Sequence, residues 1–390
     1  MRQRLSVTLF ISLIAIVVLA LAACAPKPAL PPSATIPAVA TLAPATTLAS
    51  SPAKTAAEQG WELVVAAARK EGALTLYTTF APPEARTAVT KLMKDRYGVQ
   101  MDWIVAPGAT NAERIRVEQK AKAFVGDVWW TGFSVLLTQE LRAIDALEPF
   151  TPPIVLQESD VWKGKGIDSI TDKLDVLTTT QRRSVMPIVN TTLLRPEDYP
   201  RSYKDLLEPK WKGNVIMHDP AVPGGGSQVF SLVKREYGLQ YWEKAKDQFI
   251  VTRDYSEVAR RVSVGETPIG LGLSISHFIS FLTGGAPIRP IPIAEGATIT
   301  FGPMHLLKHA PHPNAGKVFL NWVLTKEGQE MLSKYTGDEP IRKDVEWKMH
   351  PNIEPAIRDM PKWLVGTFDV IDEIDKDVSA GTARKVLGLK

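Results

Sequence analysis

The sequence of 390 residues has only one cysteine, Cys24. No internal disulfide is therefore possible, and a folded body must take its stability from a hydrophobic core. Blocks of Lys and Arg are absent too, since 46 basic residues are spread among 42 acidic ones. Without a basic patch or stripe the chain lacks the electrostatic signature of nucleic-acid binding, so we expect no nucleic-acid partner.

Motifs that carry catalysis are also missing. The sequence has no G-x-S-x-G, H-E-x-x-H, C-x-x-C or dinucleotide-binding G-x-G-x-x-G pattern. His305, His309 and His312 are spaced closely enough for a metal, but Pro311 and Pro313 prevent a helix from aligning them. We therefore expect a protein that is not an enzyme and that holds no metal or cofactor.

The N-terminus has the layout of an export signal. Arg2 and Arg4 precede an almost wholly apolar run at residues 5–21, and small residues follow. The stretch Leu21-Ala22-Ala23-Cys24 resembles the bacterial lipobox, which implies a signal peptide at 1–23 and a lipid on Cys24. The alternative is an uncleaved membrane anchor. Both interpretations place the rest of the chain outside the cytoplasm, in the periplasm or at the cell surface.

Residues 24–57 differ in composition from everything that follows. They are rich in Pro, Ala, Thr and Ser, and such a segment buries too little apolar surface to offset its ordering entropy. We predict a disordered tether that links the lipid to a folded body. The body, residues 58–390, is long enough for two domains of ordinary size.

Strand-like and helix-like patterns alternate along the body. Residues 73–78, 99–105 and 126–130 are predicted strands, and residues 82–97 and 111–124 are predicted helices. Such an order with short links predicts βαβ units and a parallel sheet. A further helix at 61–70 is predicted before the first strand. The predictions for the second half are strands at 185–190, 214–217 and 269–273, extended segments at 287–292 and 297–301, and helices at 203–207, 228–237, 257–264, 315–324, 326–335 and 361–374.

Four segments of the body match one family pattern in order and spacing. They are 61–79, 114–130 with Gly126-Asp127-Val128-Trp129-Trp130, 209–220 with Pro209-Lys210-Trp211-Lys212-Gly213, and 319–329 with Glu327-Gly328-Gln329. In these segments the chain resembles the ABC-transporter solute-binding proteins of the ferric-iron-binding type. The resemblance extends across nearly the whole body.

The resemblance implies an α/β, two-lobed type 2 periplasmic binding protein fold with a two-strand hinge and a ligand cleft between the lobes. Lobe 1 is expected at 58–182 plus 294–390 and lobe 2 at 183–293. The extended segments near 185–190 and 287–301 agree with this division. The implied partners are a small solute and an ABC permease in the membrane, and we expect a monomer.

Ligands of open α/β sheets bind beyond the carboxyl ends of strands, where helix N-termini favour anions. Three places in the sequence have this character: Thr78-Thr79-Phe80, Trp129-Trp130-Thr131 and Gly225-Gly226-Ser227. Each has a structural alternative. The threonines could only cap a helix, the tryptophans could both belong to the core, and the glycines could form a plain flexible loop.

The family pattern places an anion-holding arginine at Arg183, with the adjacent Arg182 as the alternative. Ferric-binding members carry adjacent tyrosines just after the strand predicted at 269–273. This chain has Ser274-Ile275-Ser276-His277 there, which leaves Ser276 and His277 as candidate ligand contacts. We therefore expect a small organic anion or oxyanion as the solute. A ferric ion is the alternative, and a secreted enzyme on a similar scaffold is a third.

Overall fold

The computed structural model describes residues 56–79, 81–132, 134–163, 171–172 and 175–389. The predicted signal peptide, Cys24, residues 24–55 of the predicted tether and Phe80 lie outside these ranges. No helix within the described ranges combines the length and the apolar character needed to cross a membrane.

The helices alternate with strands over most of the body. The α-helices are α1 (Ala56–Glu71), α2 (Pro83–Tyr97), α3 (Gly108–Ala121), α4 (Val135–Ala143), α5 (Pro153–Gln157), α6 (Gly225–Tyr237), α7 (Leu239–Ala245), α8 (Tyr255–Ser263), α9 (Ile275–Thr283), α10 (Pro313–Val323), α11 (Lys326–Thr336), α12 (Glu354–Asp359), α13 (Phe368–Ser379) and α14 (Thr382–Leu387). Short 3-10 helices cover Ser159–Val161, Pro196–Asp198, Tyr203–Leu207 and Pro209–Trp211.

The strands form two separate sheets. They are β1 (Ala73–Thr78), β2 (Gln100–Val105), β3 (Val128–Trp130), β4 (Leu147–Glu148), β5 (Thr171–Asp172), β6 (Val176–Ser184), β7 (Ile188–Asn190), β8 (Val215–His218), β9 (Ile250–Thr252), β10 (Ile269–Leu271), β11 (Ile288–Pro290), β12 (Ala297–Leu307), β13 (Glu339–Pro340) and β14 (Trp363–Val365).

The larger sheet has the order β13-β6-β12-β3-β1-β2, with β14 and β4 beside β12 and β5 beside β6. Strand β1 is parallel to both β2 and β3, because α2 and α3 return the chain to the same edge each time. This confirms the predicted βαβ units. Strand β12 runs antiparallel to β3 and β6 and closes the middle of the sheet.

The smaller sheet has the order β11-β7-β10-β8-β9. The chain passes from the larger sheet to the smaller one at residues 185–187 and returns at 291–296. Val185 has φ of 59°, which a β-branched residue rarely adopts. Backbone and side-chain bonds hold it there: its N–H donates to the Leu273 carbonyl at 2.8 Å, and its carbonyl accepts from the Tyr203 hydroxyl at 3.2 Å.

Each sheet has its own hydrophobic core. Leu74, Leu76 and Trp322 belong to the core against the larger sheet, and helices cover both faces of the smaller one. Two of the C-terminal helices pack on the smaller sheet: Leu387 of α14 joins the cluster that contains Trp242, and α12 joins the opposite face. The C-terminal segment also contacts the larger sheet and its helices, since β14 pairs with β12 and α13 packs through Ile371 and Ile374 on Val135 of α4. The predicted lobe boundaries stay predictions.

The helix predicted at 361–374 is wrong in its first half. Residues Trp363–Val365 instead form β14, which pairs in parallel with the start of β12, and α13 begins only at Phe368. The pairing partner lies more than sixty residues earlier in the chain, so local periodicity could not show it. Strand β6 and helix α9 were not predicted for the same reason, because tertiary packing decides their conformation.

Candidate ligand-binding site

A cavity of about 230 Å³ lies where the carboxyl ends of strands from both sheets meet. The larger sheet contributes residues after β1 and β3 and on β6 and β12, and the smaller sheet contributes residues after β8 and β10. Helices α3, α4, α6 and α9 all begin at this cavity. This position matches the general location of ligand sites in α/β proteins, and its volume suits a small solute.

The glycines at the start of α6 are required by close packing. A Cβ on Gly225 would lie 1.9 Å from the Gly272 carbonyl oxygen, and one on Gly226 would lie 2.1 Å from the His218 carbonyl oxygen. Gly224 has φ of 142°, and a Cβ there would meet the Tyr255 hydroxyl at 2.1 Å. These residues therefore bring the N-terminus of α6 against β8 and β10.

Three aromatic rings form one wall of the cavity. The ring of Tyr255 lies between those of His218 and His277, with centroid distances of 3.8 and 4.0 Å and nearly parallel planes. The Tyr255 hydroxyl accepts the Gly225 N–H at 3.0 Å. Nδ1 of His277 accepts the Ser274 N–H at 3.0 Å, and Nδ1 of His218 accepts the Gly226 N–H at 3.3 Å. Both imidazoles are thus fixed with Nδ1 unprotonated.

Burial keeps this wall uncharged. It lowers the pKa of His218 to about 4, and it lowers the pKa of His277 well below its usual value, with help from the Arg182 charge. Burial also raises the pKa of the Tyr255 hydroxyl to about 12. Any charged group that meets a solute in this cavity must therefore belong to residues outside the ring wall.

The depressed histidine pKa values predict loss of stability in mild acid. Because His218 titrates near 4 when folded and near 6.5 when unfolded, the unfolded chain binds the extra proton between these pH values. From pH 7 to pH 4.5 we expect the wild type to lose about 2 to 3 kcal/mol more unfolding free energy than His218→Phe, measured by urea denaturation.

The comparison with His218→Phe is needed because buried carboxyl groups have the opposite effect on stability as the pH falls. Burial raises the pKa of Asp127, Asp338 and Asp375, so the folded state gains protons there first as the pH falls. The phenyl ring of the variant keeps the stack on Tyr255. Equal pH slopes for the two proteins would contradict the assignment.

Arg182 is the buried cation at the cavity. Its side chain lines the cavity at 7% exposure, and its Nε donates to Asp338 at 3.0 Å. Arg183, its neighbour on β6, points the other way: its guanidinium pairs with Glu339 and lies over the Trp347 and Trp363 rings. The structure thus places the alternative arginine, and not Arg183, at the cavity.

A second arginine reaches the cavity from its rim. Arg253 lines the cavity, its side chain is 60% exposed, and its Nε donates to Asp219 at 2.9 Å. Among the described lining residues there is no Asp or Glu. The lining therefore offers hydrogen-bond donors and cationic groups, with its balancing carboxylates set back behind the arginines.

The structure brings some of the predicted site residues to the cavity and not others. Thr79, Thr131, Gly225 and His277 line it. Arg183 points away from the cavity, and Phe80 lies outside the described residues. The other predicted residues are buried behind the lining: Thr78, Trp129, Trp130, Gly226, Ser227 and Ser276.

Each of the two tryptophans packs in the interior. Trp129 stacks on His305 with ring centroids 4.9 Å apart. Trp130 belongs to the core of the larger sheet and lies under the Arg182 guanidinium at 5.8 Å. Trp130 therefore supports the cavity through Arg182.

Sequence reasoning missed His218, Tyr255 and Arg253 in the cavity lining. The only sequence feature that pointed to this region was the Asp219-Pro220 pair of the family pattern, which follows the strand predicted at 214–217. Tyr255 opens α8, which is distant in sequence from both histidines that it touches. No periodicity marks such a contact.

The three histidines at 305, 309 and 312 each make a different local contact. His305 packs on Trp129, His309 packs on Phe124, and His312 bonds to Asp127 through Nδ1 at 3.0 Å. In the part of the chain that the structure describes, no group of three side chains is arranged to hold a metal ion.

The sequence model of one family, the bacterial extracellular solute-binding proteins, matches residues 87–355. The chain therefore belongs to this family, whose members bind solutes outside the cytoplasm.

Individual relatives and solved structures resemble this chain. An uncharacterized protein of Haemophilus influenzae is 24% identical over 291 residues, which cover 70% of this chain and 78% of the relative. Iron-bound HitA from Pseudomonas aeruginosa is 20% identical with a TM-score of 0.62, covering 80% of this chain and 99% of HitA. AfuA from Actinobacillus pleuropneumoniae, solved with fructose-6-phosphate, is 21% identical with a TM-score of 0.63, covering 81% and 97%. The fold is that of the type 2 periplasmic binding proteins.

Proposed function

We propose that this protein is the receptor of an ABC importer and binds a small organic anion or oxyanion in the cavity between its two sheets. The observation that carries the proposal is the composition of the lining, in which Arg182 and Arg253 face hydrogen-bond donors and no described Asp or Glu takes part. An anion gains charge-assisted hydrogen bonds in such a cavity, whereas a cation finds no carboxylate among the described lining residues.

The helix N-termini add to this preference. Helix α3 begins after Pro107 without a side-chain cap, and its first residues, Gly108 to Thr110, line the cavity. Their N–H groups have no partner one turn earlier in the helix and favour negative charge. Together with Arg182 they form the anion-binding part of the site.

The two connections at 185–187 and 291–296 would act as the hinge. A solute that touches residues of both sheets binds the closed state more tightly and so shifts the population toward it. A membrane permease would then recognise the closed form. We expect the chain to act as a monomer anchored through a lipid on Cys24, without catalytic activity.

The lining does not favour a ferric ion. Hard trivalent cations prefer carboxylate and phenolate oxygens, and the described lining residues include one tyrosine, Tyr255, and no carboxylate. Its hydroxyl already accepts the Gly225 N–H, and its pKa of about 12 disfavours the phenolate. A visible charge-transfer band on addition of ferric citrate would reverse this preference.

Native mass spectrometry of gently purified full-length protein is expected to show a retained anionic solute. Adding that solute at one hundred times its dissociation constant should stabilise the protein by ~2.7 kcal/mol in thermal unfolding. X-ray scattering should show compaction on binding. A retained cation, or chemical conversion of the solute during incubation, would contradict the proposal.

A further inference from the structure

Arg182 has an internal counter-ion that does not line the cavity. Asp338 follows α11 and is fully buried. Its Oδ2 accepts Arg182 Nε at 3.0 Å and the Thr180 hydroxyl at 3.3 Å, whereas its Oδ1 has no hydrogen-bond partner among the described residues. Burying a carboxylate with one oxygen that makes no hydrogen bond costs free energy, unless a nearby cation compensates its charge.

The opposite edge of the guanidinium is less engaged. Arg182 Nη1 donates to the Thr131 carbonyl at 3.4 Å, which is long for such a bond. Thr131 itself lines the cavity. The Nε edge is thus held by Asp338, and the Nη groups lie on the side of the cavity lining.

Strand β12 has a glycine, Gly302, beside the Arg182–Asp338 ion pair. The β6–β12 register shifts between Phe301 and Pro303, and Gly302 lies at this irregularity. A Cβ on Gly302 would lie 2.5 Å from the Thr180 hydroxyl oxygen and 3.3 Å from the Arg182 guanidinium. The lack of a side chain at Gly302 therefore leaves room for Thr180 and Arg182, both of which donate to Asp338.

We propose that Asp338 is a positioning residue for anion binding: it fixes the Nε edge of Arg182 and balances its charge in the empty cavity, so that a bound anion shares this cation with Asp338. The inference rests on the proposed function, because it assumes that an anion reaches Arg182. Its physical consequence is a limit on affinity for anions, since part of the Arg182 charge is already compensated.

Removal of the carboxylate charge tests the proposal without knowledge of the natural solute. The proteins are wild type, Asp338→Asn, Arg182→Met and the double variant, and the probe is sodium sulfate against sodium chloride at equal ionic strength. Asp338→Asn leaves a buried cation unpaired, so we expect it to unfold at a lower temperature. The double variant should lose less stability than the sum of the two single changes.

Sulfate supplies the readout that a purely structural role would not move. It should bind Asp338→Asn about tenfold or more tightly than wild type, because the full charge of Arg182 becomes available. The double variant should show only the general salting effect of sulfate. Equal sulfate affinity in wild type and Asp338→Asn, or additive losses of stability, would overturn the proposal. Retention of the natural solute by wild type tests the proposed function separately.

Discussion

Replacing Arg182 by Met is expected to weaken binding of the retained solute by about 100-fold, measured by isothermal titration calorimetry. The change removes charge-assisted hydrogen bonds from the only buried cation in the described cavity lining. It also leaves Asp338 without its partner, which destabilises the fold. The Arg182→Met, Asp338→Asn double variant is therefore measured alongside, so that unfolding is not mistaken for lost affinity.

Arg183→Met is the matched control for this experiment. Arg183 adjoins Arg182, carries the same charge and is also largely buried, but it contacts Glu339, Trp347 and Trp363 away from the cavity. The control should reduce stability and leave the affinity unchanged. If Arg183→Met weakened binding as much as Arg182→Met, the assignment of the anion-binding arginine would be wrong.

Gly225→Ala is expected to destabilise the protein by about 3 kcal/mol and to weaken solute binding at the same time. The new methyl group would lie 1.9 Å from the Gly272 carbonyl oxygen, so the start of α6 must move away from β10. That movement breaks the Gly225 N–H bond to Tyr255 and disturbs the ring stack.

Gly132→Ala serves as its control. Gly132 also lines the cavity, but a Cβ there meets no atom within 4 Å. Thermal unfolding of this variant should stay close to wild type. A Gly225→Ala protein with wild-type stability would show that the glycines form only a flexible loop.

The contrast between these two glycines shows what sequence reasoning missed. The run Gly224-Gly225-Gly226-Ser227 was visible as a candidate ligand loop, but a flexible connection was an equal interpretation. The structure shows that Gly225 faces the backbone of Gly272, just after β10, and that Gly226 faces the backbone of His218 and Asp219 at the end of β8. Those neighbours lie far away in sequence, so no local pattern distinguishes a packed glycine from a flexible one.

Local patterns did determine the alternating elements of the larger sheet. Strand β1 has the predicted bounds, and α2, β2 and α11 begin or end within a residue or two of them. These elements have strong apolar periodicity and clear ends, such as Gly98 in the left-handed conformation after α2. The predicted helix at 361–374 was harder to place, because the strand that makes Trp363–Val365 a strand, β12, lies far away in sequence.

The sequence by itself determined the family resemblance, the βαβ order and the absence of the tyrosine pair expected for iron. Tertiary structure decided which arginine meets the cavity. Neighbours on a strand point to opposite faces, so Arg182 and Arg183 must diverge, but only the pairing of β6 with β12 and β13 determines which face holds the ligand site. The same pairing, together with the Gly302 bulge, brings Asp338 against Arg182.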